Sequence, residues 1–220
     1  MPLLAVDNLA KNAGLIANRF FGTPSDSVSV VGITGTNGKT SVAHFIAQVV
    51  DHSDGRCGLI GTLGNGFPGE LQSSGYTTPD AVEVHRLMGS FVDRQANSVV
   101  MEVSSHALDQ GRVTAVNFDT AVFTNLTQDH LDYHGDMATY SEAKERLFHW
   151  PGLQHAVINA DDSLGVKLIE EIGGRVDTVA YSVNGPVASV ENLLATDIVA
   201  NNKGLKFNVS GFGQNVAVSS

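Results

Sequence analysis

The chain reads as an α/β protein: a mostly parallel phosphate-loop sheet with helices on both faces, plus a small antiparallel sheet near the C-terminus. Three observations predict this. Short apolar runs alternate with amphipathic stretches from residue 28 to about residue 182, and such alternation implies parallel strands joined by crossover helices. The first apolar run ends in a glycine-rich turn, Gly35-Thr36-Asn37-Gly38-Lys39-Thr40, which passes directly into an amphipathic segment. After Pro186 the runs become short, and Asn201-Asn202-Lys203-Gly204 has the composition of a hairpin turn.

In chain order, residues 1–27 read as a connector, with apolar Leu3, Leu4, Val6 and Leu9 and a turn at 22–26. Residues 28–34 are the first expected strand and 39–51 the first expected helix. Its apolar face is assigned to Val42, Phe45, Ile46, Val49 and Val50 by their i, i+3, i+4, i+7 spacing. A second strand is expected at 57–61. Residues 64–79 read as a loop long enough to suggest a role of its own. A helix follows over 80–96 with Val84, Leu87, Met88 and Phe91 inward, Pro79 at its first position and Thr78 as its cap. Strands are expected at 98–103 and 120–124, then a helix over 136–149 capped by Asp136. Next come a strand at 155–159, a helix to about 172 and a strand at 176–182. Short strands at 197–200, 205–209 and 216–219 complete the series.

Composition bounds the function. The chain has 220 residues, 42% hydrophobic and 16% charged, with a net charge of −10. That suits one large folded domain and argues against nucleic acid as a partner. Cys57 is the single cysteine, so no internal disulfide framework exists, which fits the cytoplasm. No apolar run spans a bilayer and no signal peptide is visible, so no membrane association is expected. A monomer is the expectation for the oligomeric state.

The turn at 35–40 carries the clearest chemistry. A helix N-terminus presents unpaired N–H groups and a partial positive charge, and so attracts phosphate. Gly35 and Gly38 let the backbone close around an anion, Lys39 reaches the terminal phosphates, and the Thr40 hydroxyl holds Mg²⁺. The expected ligand is ATP. A strict phosphate-loop pattern would place glycine where this chain has Ile33. Glu102 ends a strand with its side chain on the face opposite Val99, Met101 and Val103. It is a candidate to share Mg²⁺ with Thr40, or else a solvated carboxylate. The run Asn125-Leu126-Thr127-Gln128-Asp129-His130-Leu131-Asp132-Tyr133-His134-Gly135 supplies candidate metal ligands, His130 first among them. Lys144 falls on the inward face of its helix with Met137, Tyr140, Leu147 and Phe148. If it is buried rather than snorkelling, its pKa must fall, and a neutral amine can be carbamylated by CO₂. Arg112 is a candidate for a bidentate carboxylate clamp, or else a surface arginine.

Together these motifs resemble the Mur ligase family. Gly-Thr-Asn-Gly-Lys-Thr is similar to that family's nucleotide loop and accounts for Ile33. Tyr76-Thr77-Thr78-Pro79-Asp80, Met101-Glu102-Val103-Ser104-Ser105-His106 and Asp129-His130-Leu131-Asp132-Tyr133-His134-Gly135 resemble the tripeptide-forming branch. The resemblance covers residues 20–200. It implies that Gly35, Thr36, Asn37, Gly38, Lys39, Thr40 and Ser41 cradle ATP, that Thr40 and Glu102 hold one Mg²⁺, and that His130 and a carbamylated Lys144 serve a second. Thr77, Thr78, Ser104, Gln110 and Arg112 would contact the second substrate. The implied reaction is ATP-dependent addition of a diamino acid to UDP-MurNAc-L-Ala-D-Glu through an acyl phosphate, with Lys39, Glu102, His130 and Lys144 as the catalytic set. His106, Asn125 and His134 belong to matched motifs without an assigned role. The resemblance also implies a fragment. Residues 1–27 would be the remnant of a UDP-binding domain, residues 28–220 a central ATP-binding domain incomplete at its C-terminus, and the amino-acid-binding domain would be absent. Such a chain is not expected to turn over alone. A general phosphate-loop ATPase or kinase, and a nucleotide-binding remnant, are the alternative readings.

Overall fold

Alternate residues of the central strands serve two different cores. On one face Val30, Val99, Met101, Ala121, Phe123, Ala156 and Ile158 pack together. On the other, Ile33, Val100, Val122, Cys57 and Leu59 do so. This is the period-two division of a sheet covered on both sides, and it explains why the strands read as unbroken apolar runs. The computed structural model describes residues 8–53, 55–202 and 204–219.

The strands are β1 (Ser29–Thr34), β2 (Cys57–Gly61), β3 (Gly64–Gly66), β4 (Ser98–Glu102), β5 (Thr120–Phe123), β6 (His155–Asn159), β7 (Asp177–Ser182), β8 (Glu191–Asn201), β9 (Gly204–Gly211) and β10 (Gln214–Ser219). They form one sheet in the order β10-β9-β8-β7-β6-β5-β1-β4-β2-β3. Pairing is parallel from β2 through β8 and antiparallel for β3 and for β9 and β10. β1 lies between β4 and β5, so the chain leaves it in both directions along the sheet. In open α/β sheets ligands bind beyond the carboxyl ends of strands at such a point.

The helices are α1 (Leu9–Phe20), α2 (Lys39–His52), α3 (Ala81–Asp93), α4 (Ser105–Asp109), α5 (Leu131–His134), α6 (Met137–Glu145) and α7 (Ser163–Ile172). α3 and α7 cover the first core with Val84, Leu87, Met88 and Phe91, and with Leu164, Leu168, Ile169 and Ile172. α2 covers the second with Ala43 and Ala47.

Several expectations change. The connector holds α1, which buries Gly14 and Ala17 while Leu9, Leu15, Ile16 and Phe20 stay exposed. A Cβ on Gly14 would lie 2.6 Å from Thr114 O, so the helix approaches that backbone too closely for a side chain. In α2 the buried face is Ala43 and Ala47; Val42, Ile46 and Val50 are partly covered, whereas Phe45 and Val49 are exposed. Small residues, not large ones, bring this helix close to the sheet. Thr78 is not the cap of α3: Asp80 is, accepting from Val82 N and Glu83 N, because the Thr78 hydroxyl donates instead to Glu102 O. Asp136 does cap α6, accepting from Thr139 N at 2.8 Å. That helix ends at Glu145, and Arg146–His149 continue as a 3-10 turn. The loop over 64–79 contains β3. The antiparallel strands are present and extend the main sheet, because β8 pairs in parallel with β7 through Val179–Ser182. Leu3, Leu4, Val6 and Lys203 lie outside the described residues.

α3 sits so near β2 that a Cβ on Gly58 would fall 2.5 Å from Phe91 Cδ2. Gly58→Ala is therefore expected to lower stability by about 1–3 kcal/mol through overpacking. Urea denaturation of the two proteins measures it; equal midpoints would contradict this packing.

Candidate active site

The carboxyl ends of β1, β4 and β5 bring the expected residues to one edge. After β1 the chain turns through Gly35 (φ 140°) and Gly38 (φ 84°) into α2, with Lys39 as its first residue. Both angles lie where side chains are strained, and a Cβ on Gly35 would overlap the Thr124 hydroxyl. The loop is held from outside. Asn37 N donates to Asn125 Oδ1 at 3.0 Å, and Asn125 Nδ2 donates to Asn37 O at 3.1 Å. Thr124 Oγ1 donates to the same carbonyl at 2.7 Å, and Thr36 N to Asn125 O at 2.8 Å. Asn125, without an assigned role in the sequence, is thus a clamp on the loop.

Lys39 folds back over the turn, donating to Gly35 O at 2.8 Å and Thr36 O at 2.9 Å. Burial lowers its pKa, opposed by the nearby charges of Glu102 and Asp129. Lys144 is buried, at 1% exposure, as its position on α6 implied. Its Nζ donates to Gly35 O at 3.0 Å and lies 4.4 Å from the centre of the Tyr140 ring. Burial lowers its pKa to about 7, and repulsion from Lys39 adds to the effect, opposed by Asp129. Two amines therefore share one carbonyl, and the more buried of them gives up its charge more readily.

Glu102 is buried and carries three donors: Thr40 Oγ1 at 2.9 Å, Thr62 N at 2.8 Å and Thr62 Oγ1 at 3.0 Å. A Cβ on Gly61 would overlap Glu102 Oε1, so glycine there gives the carboxylate its room. The Thr62 hydroxyl, unremarked in the sequence, also lies 3.1 Å from Thr77 Oγ1, from which it accepts while its own proton goes to Glu102. The residues Thr40, Glu102, Thr62 and Thr77 thus form a continuous polar line from the loop to the second cluster.

That cluster holds Thr78, Ser104, Gln110 and Arg112. Thr78 Oγ1 lies 3.3 Å from Ser104 Oγ, and Ser104 also caps α4 through Ala107 N. Arg112 Nε and one terminal nitrogen donate to Gln110 Oε1 at 2.8 and 2.6 Å, and the other terminal nitrogen donates to Thr78 O at 3.0 Å. Ser41 is exposed on α2, with no side-chain bond to the loop. His130 is half exposed beside Asp129 at 3.5 Å. Its ring meets His106 at 4.8 Å and Tyr140 at 6.0 Å. His134 is buried against Ser105 Oγ at 3.0 Å, and burial lowers its pKa. Asn159 and Asp162 were not singled out in the sequence, yet they support the clamp: Asn159 Nδ2 donates to Thr124 O at 2.8 Å, and Leu126 N donates to Asp162 Oδ2 at 2.7 Å. Buried Cys57 stands apart, its thiol pushed up to about 12 by burial first and Asp51 second. Among the described residues no helix is long and apolar enough to cross a membrane.

Fold and edge together define a phosphate-loop α/β domain. The chain belongs to the Mur ligase family, matching its middle domain over residues 33–220. It is 50% identical over 211 residues to the UDP-N-acetylmuramoyl-L-alanyl-D-glutamate–2,6-diaminopimelate ligase of Alkalilimnicola ehrlichii, covering 96% of this chain and 42% of that protein. The ligase of the same name from Chromobacterium violaceum is 55% identical over 167 residues, covering 76% of this chain and 34% of that one. A solved structure of a ligase with that name superposes with a TM-score of 0.86 at 30% identity, over all of this chain and 46% of that one. Mycobacterium tuberculosis folylpolyglutamate synthase, solved with ADP and AMPPCP, shares the fold, with a TM-score of 0.70 at 19% identity over 91% of this chain and 51% of that one. The chain spans less than half the length of the curated relatives it matches.

The Lys144 shift has a consequence for stability. Its pKa of about 7 in the fold lies below the unfolded value of 10.5, so below pH 7 the fold carries the full penalty of a buried charge, and the penalty fades as pH rises toward 10. In CO₂-free buffer, the stability of Lys144→Met relative to wild type is expected to be greater at pH 6 than at pH 9. Thermal denaturation at the two pH values checks this; a pH-independent difference would mean the amine is solvated.

Proposed function

We propose that the chain is the ATP-binding central part of a ligase that joins a diamino acid, meso-diaminopimelate, to the D-glutamate of UDP-MurNAc-L-Ala-D-Glu, with ATP cleaved to ADP and phosphate. In this reading residues 1–27 lead from a UDP-binding domain, residues 28–220 form the central domain, and the incoming amino acid is bound by a domain outside this chain. The names of its relatives support the choice of substrates. One observation carries the reading within the chain. The phosphate loop connects through Thr40, Glu102, Thr62 and Thr77 in consecutive hydrogen bonds to the residue before Thr78, and Thr78 itself donates to Glu102 O, which joins the loop to the Thr78–Ser104–Gln110–Arg112 cluster. An acyl phosphate forms only where a carboxylate and a γ-phosphate sit side by side, and two such adjacent sites are what this reaction needs.

Gly35 to Ser41 receive the ATP phosphates on backbone N–H groups and the start of α2, and Lys39 exchanges its bonds to the loop carbonyls for phosphate oxygens. Arg112, with Thr77, Thr78, Ser104 and Gln110, holds the muramoyl dipeptide so that its terminal carboxylate faces the γ-phosphate. A carboxylate oxygen attacks that phosphorus, the bond to the β-phosphate oxygen breaks, and ADP leaves. The amine then attacks the acyl carbon and loses a proton, and phosphate departs from the tetrahedral adduct. Glu102 and the Thr40 hydroxyl are hard oxygen donors, 2.9 Å apart, which suit Mg²⁺. Mg²⁺ bound there supplies neutralising charge to the phosphate oxygens.

A second ion would rest on His130 and Lys144. Among the described residues no three His, Cys, Asp or Glu side chains group as a metal site, so an added oxygen donor is required. Carbamylation supplies one: the neutral Lys144 amine attacks CO₂ and releases a proton, leaving an anionic carbamate. Burial of the amine, with its pKa near 7, favours the nucleophilic form. The work is assigned to the cytoplasm, to a monomer, with no nucleic acid or membrane as partner.

ATP hydrolysis by the chain together with its flanking ligase domains tests this reading. Phosphate release is expected to require the muramoyl dipeptide, and dipeptide-independent hydrolysis would indicate a general ATPase instead. Wild-type turnover is expected to fall in decarbonated buffer and return with bicarbonate. Lys144→Ala is expected to stay about tenfold or more below wild type with or without bicarbonate, the scale for losing a group that serves a metal site. Full activity of that variant would remove the carbamate.

A further inference from the structure

The Gln110–Arg112 pair is held by a residue from a distant segment. Gln110 Nε2 donates to Tyr133 OH at 3.1 Å, and the same phenol donates to Asp109 Oδ2 at 2.9 Å. Asp109 is fixed in turn by Arg146 at 3.2 Å. The Tyr133 ring lies 4.2 Å from that of His106 and 4.8 Å from that of His134. Its place on α5, three residues after His130, puts it on the segment that carries the candidate metal ligand.

A glutamine side chain has a donor end and an acceptor end, and they are not interchangeable. With Tyr133 taking the N–H end, the oxygen end must face Arg112, where it accepts two N–H groups. Thr78 O accepts a third. The guanidinium has five N–H donors in a rigid plane, so its orientation is fixed and two N–H groups remain for a ligand. Without the phenol the NH₂ end of Gln110 loses its anchor, and the glutamine and guanidinium, still bonded to each other, are free to pivot together.

We propose that Tyr133 is a positioning residue: its phenol locks Gln110, and through it Arg112, in the orientation that receives the substrate carboxylate, and ties that pair to the segment bearing His130. The inference rests on the reading of Arg112 as a carboxylate clamp. Tyr133 acts on that clamp and on neither the nucleotide nor the metals. Its side chain is 41% exposed, so Tyr133→Phe keeps the ring contacts and is not expected to disturb the fold.

The test has two parts. In the ligand-free chain, side-chain amide NMR of Gln110 and guanidinium NMR of Arg112 are expected to shift and broaden in Tyr133→Phe, as one orientation gives way to several. By titration calorimetry on the chain together with its flanking ligase domains, UDP-MurNAc-L-Ala-D-Glu is expected to bind Tyr133→Phe about five- to tenfold more weakly than wild type, the scale of one hydrogen bond. The affinity for Mg·ADP is expected to stay unchanged. Unaltered Gln110 and Arg112 signals would overturn the positioning role, as would equal losses for both ligands, which would mean general loosening. A wild-type protein with its flanking ligase domains that bound Mg·ADP but no dipeptide would overturn the clamp reading of Arg112 instead.

Discussion

One side chain holds the peptide of Asn37 by both its N–H and its carbonyl, and the rest of the site depends on that clamp. Asn125 makes the two bonds, and Thr124 adds a third. A loop with two positive-φ glycines is entropically costly to fix. Here the fixing is done by the end of a neighbouring strand rather than by the ligand. β5 lies beside β1 in the sheet, so its carboxyl end arrives where the loop needs support, and Asn159 and Asp162 at the end of β6 support it in turn. The result is a loop held in shape by its neighbours alone.

The same edge explains the electrostatics. Lys39 and Lys144 are directed to a single carbonyl, that of Gly35. Their mutual repulsion and shared burial favour loss of one proton, and Lys144, the deeper amine, is the group that loses it. Glu102 stands on the other flank, its carboxylate accepting from Thr40 and Thr62. These hydroxyl contacts are the kind a divalent ion can replace or share at little cost in reorganisation.

Much of this was legible in the sequence because the physics is local. Central strands read as apolar runs since both faces are covered, and Gly-Lys-Thr after such a run marks the phosphate loop. Lys144 was placed inward by its spacing from Tyr140 and Leu147 alone. What escaped was either nonlocal or carried by small residues. The clamp joins positions some ninety residues apart, and Thr62 acquires its place only when β2 lies next to β4. α1 and α2 bury glycine and alanine, so apolar periodicity marked a face of α2 of which Val42, Ile46 and Val50 flank the core and Phe45 and Val49 miss it, and marked no helix in α1. At Thr78 two roles competed, capping α3 or bonding to β4; the second prevailed because Asp80 was available to cap.

In the proposed reaction, nucleotide and acyl substrate meet at the carboxyl ends of β1, β4 and β5. A crystal structure with Mg²⁺, a non-hydrolysable ATP analogue and UDP-MurNAc-L-Ala-D-Glu would show whether they do. The β- and γ-phosphates are expected within residues 35–41, an ion between Thr40 and Glu102, and the dipeptide carboxylate on Arg112 facing the γ-phosphate. Phosphates bound elsewhere, or a carboxylate turned away from the loop, would contradict it.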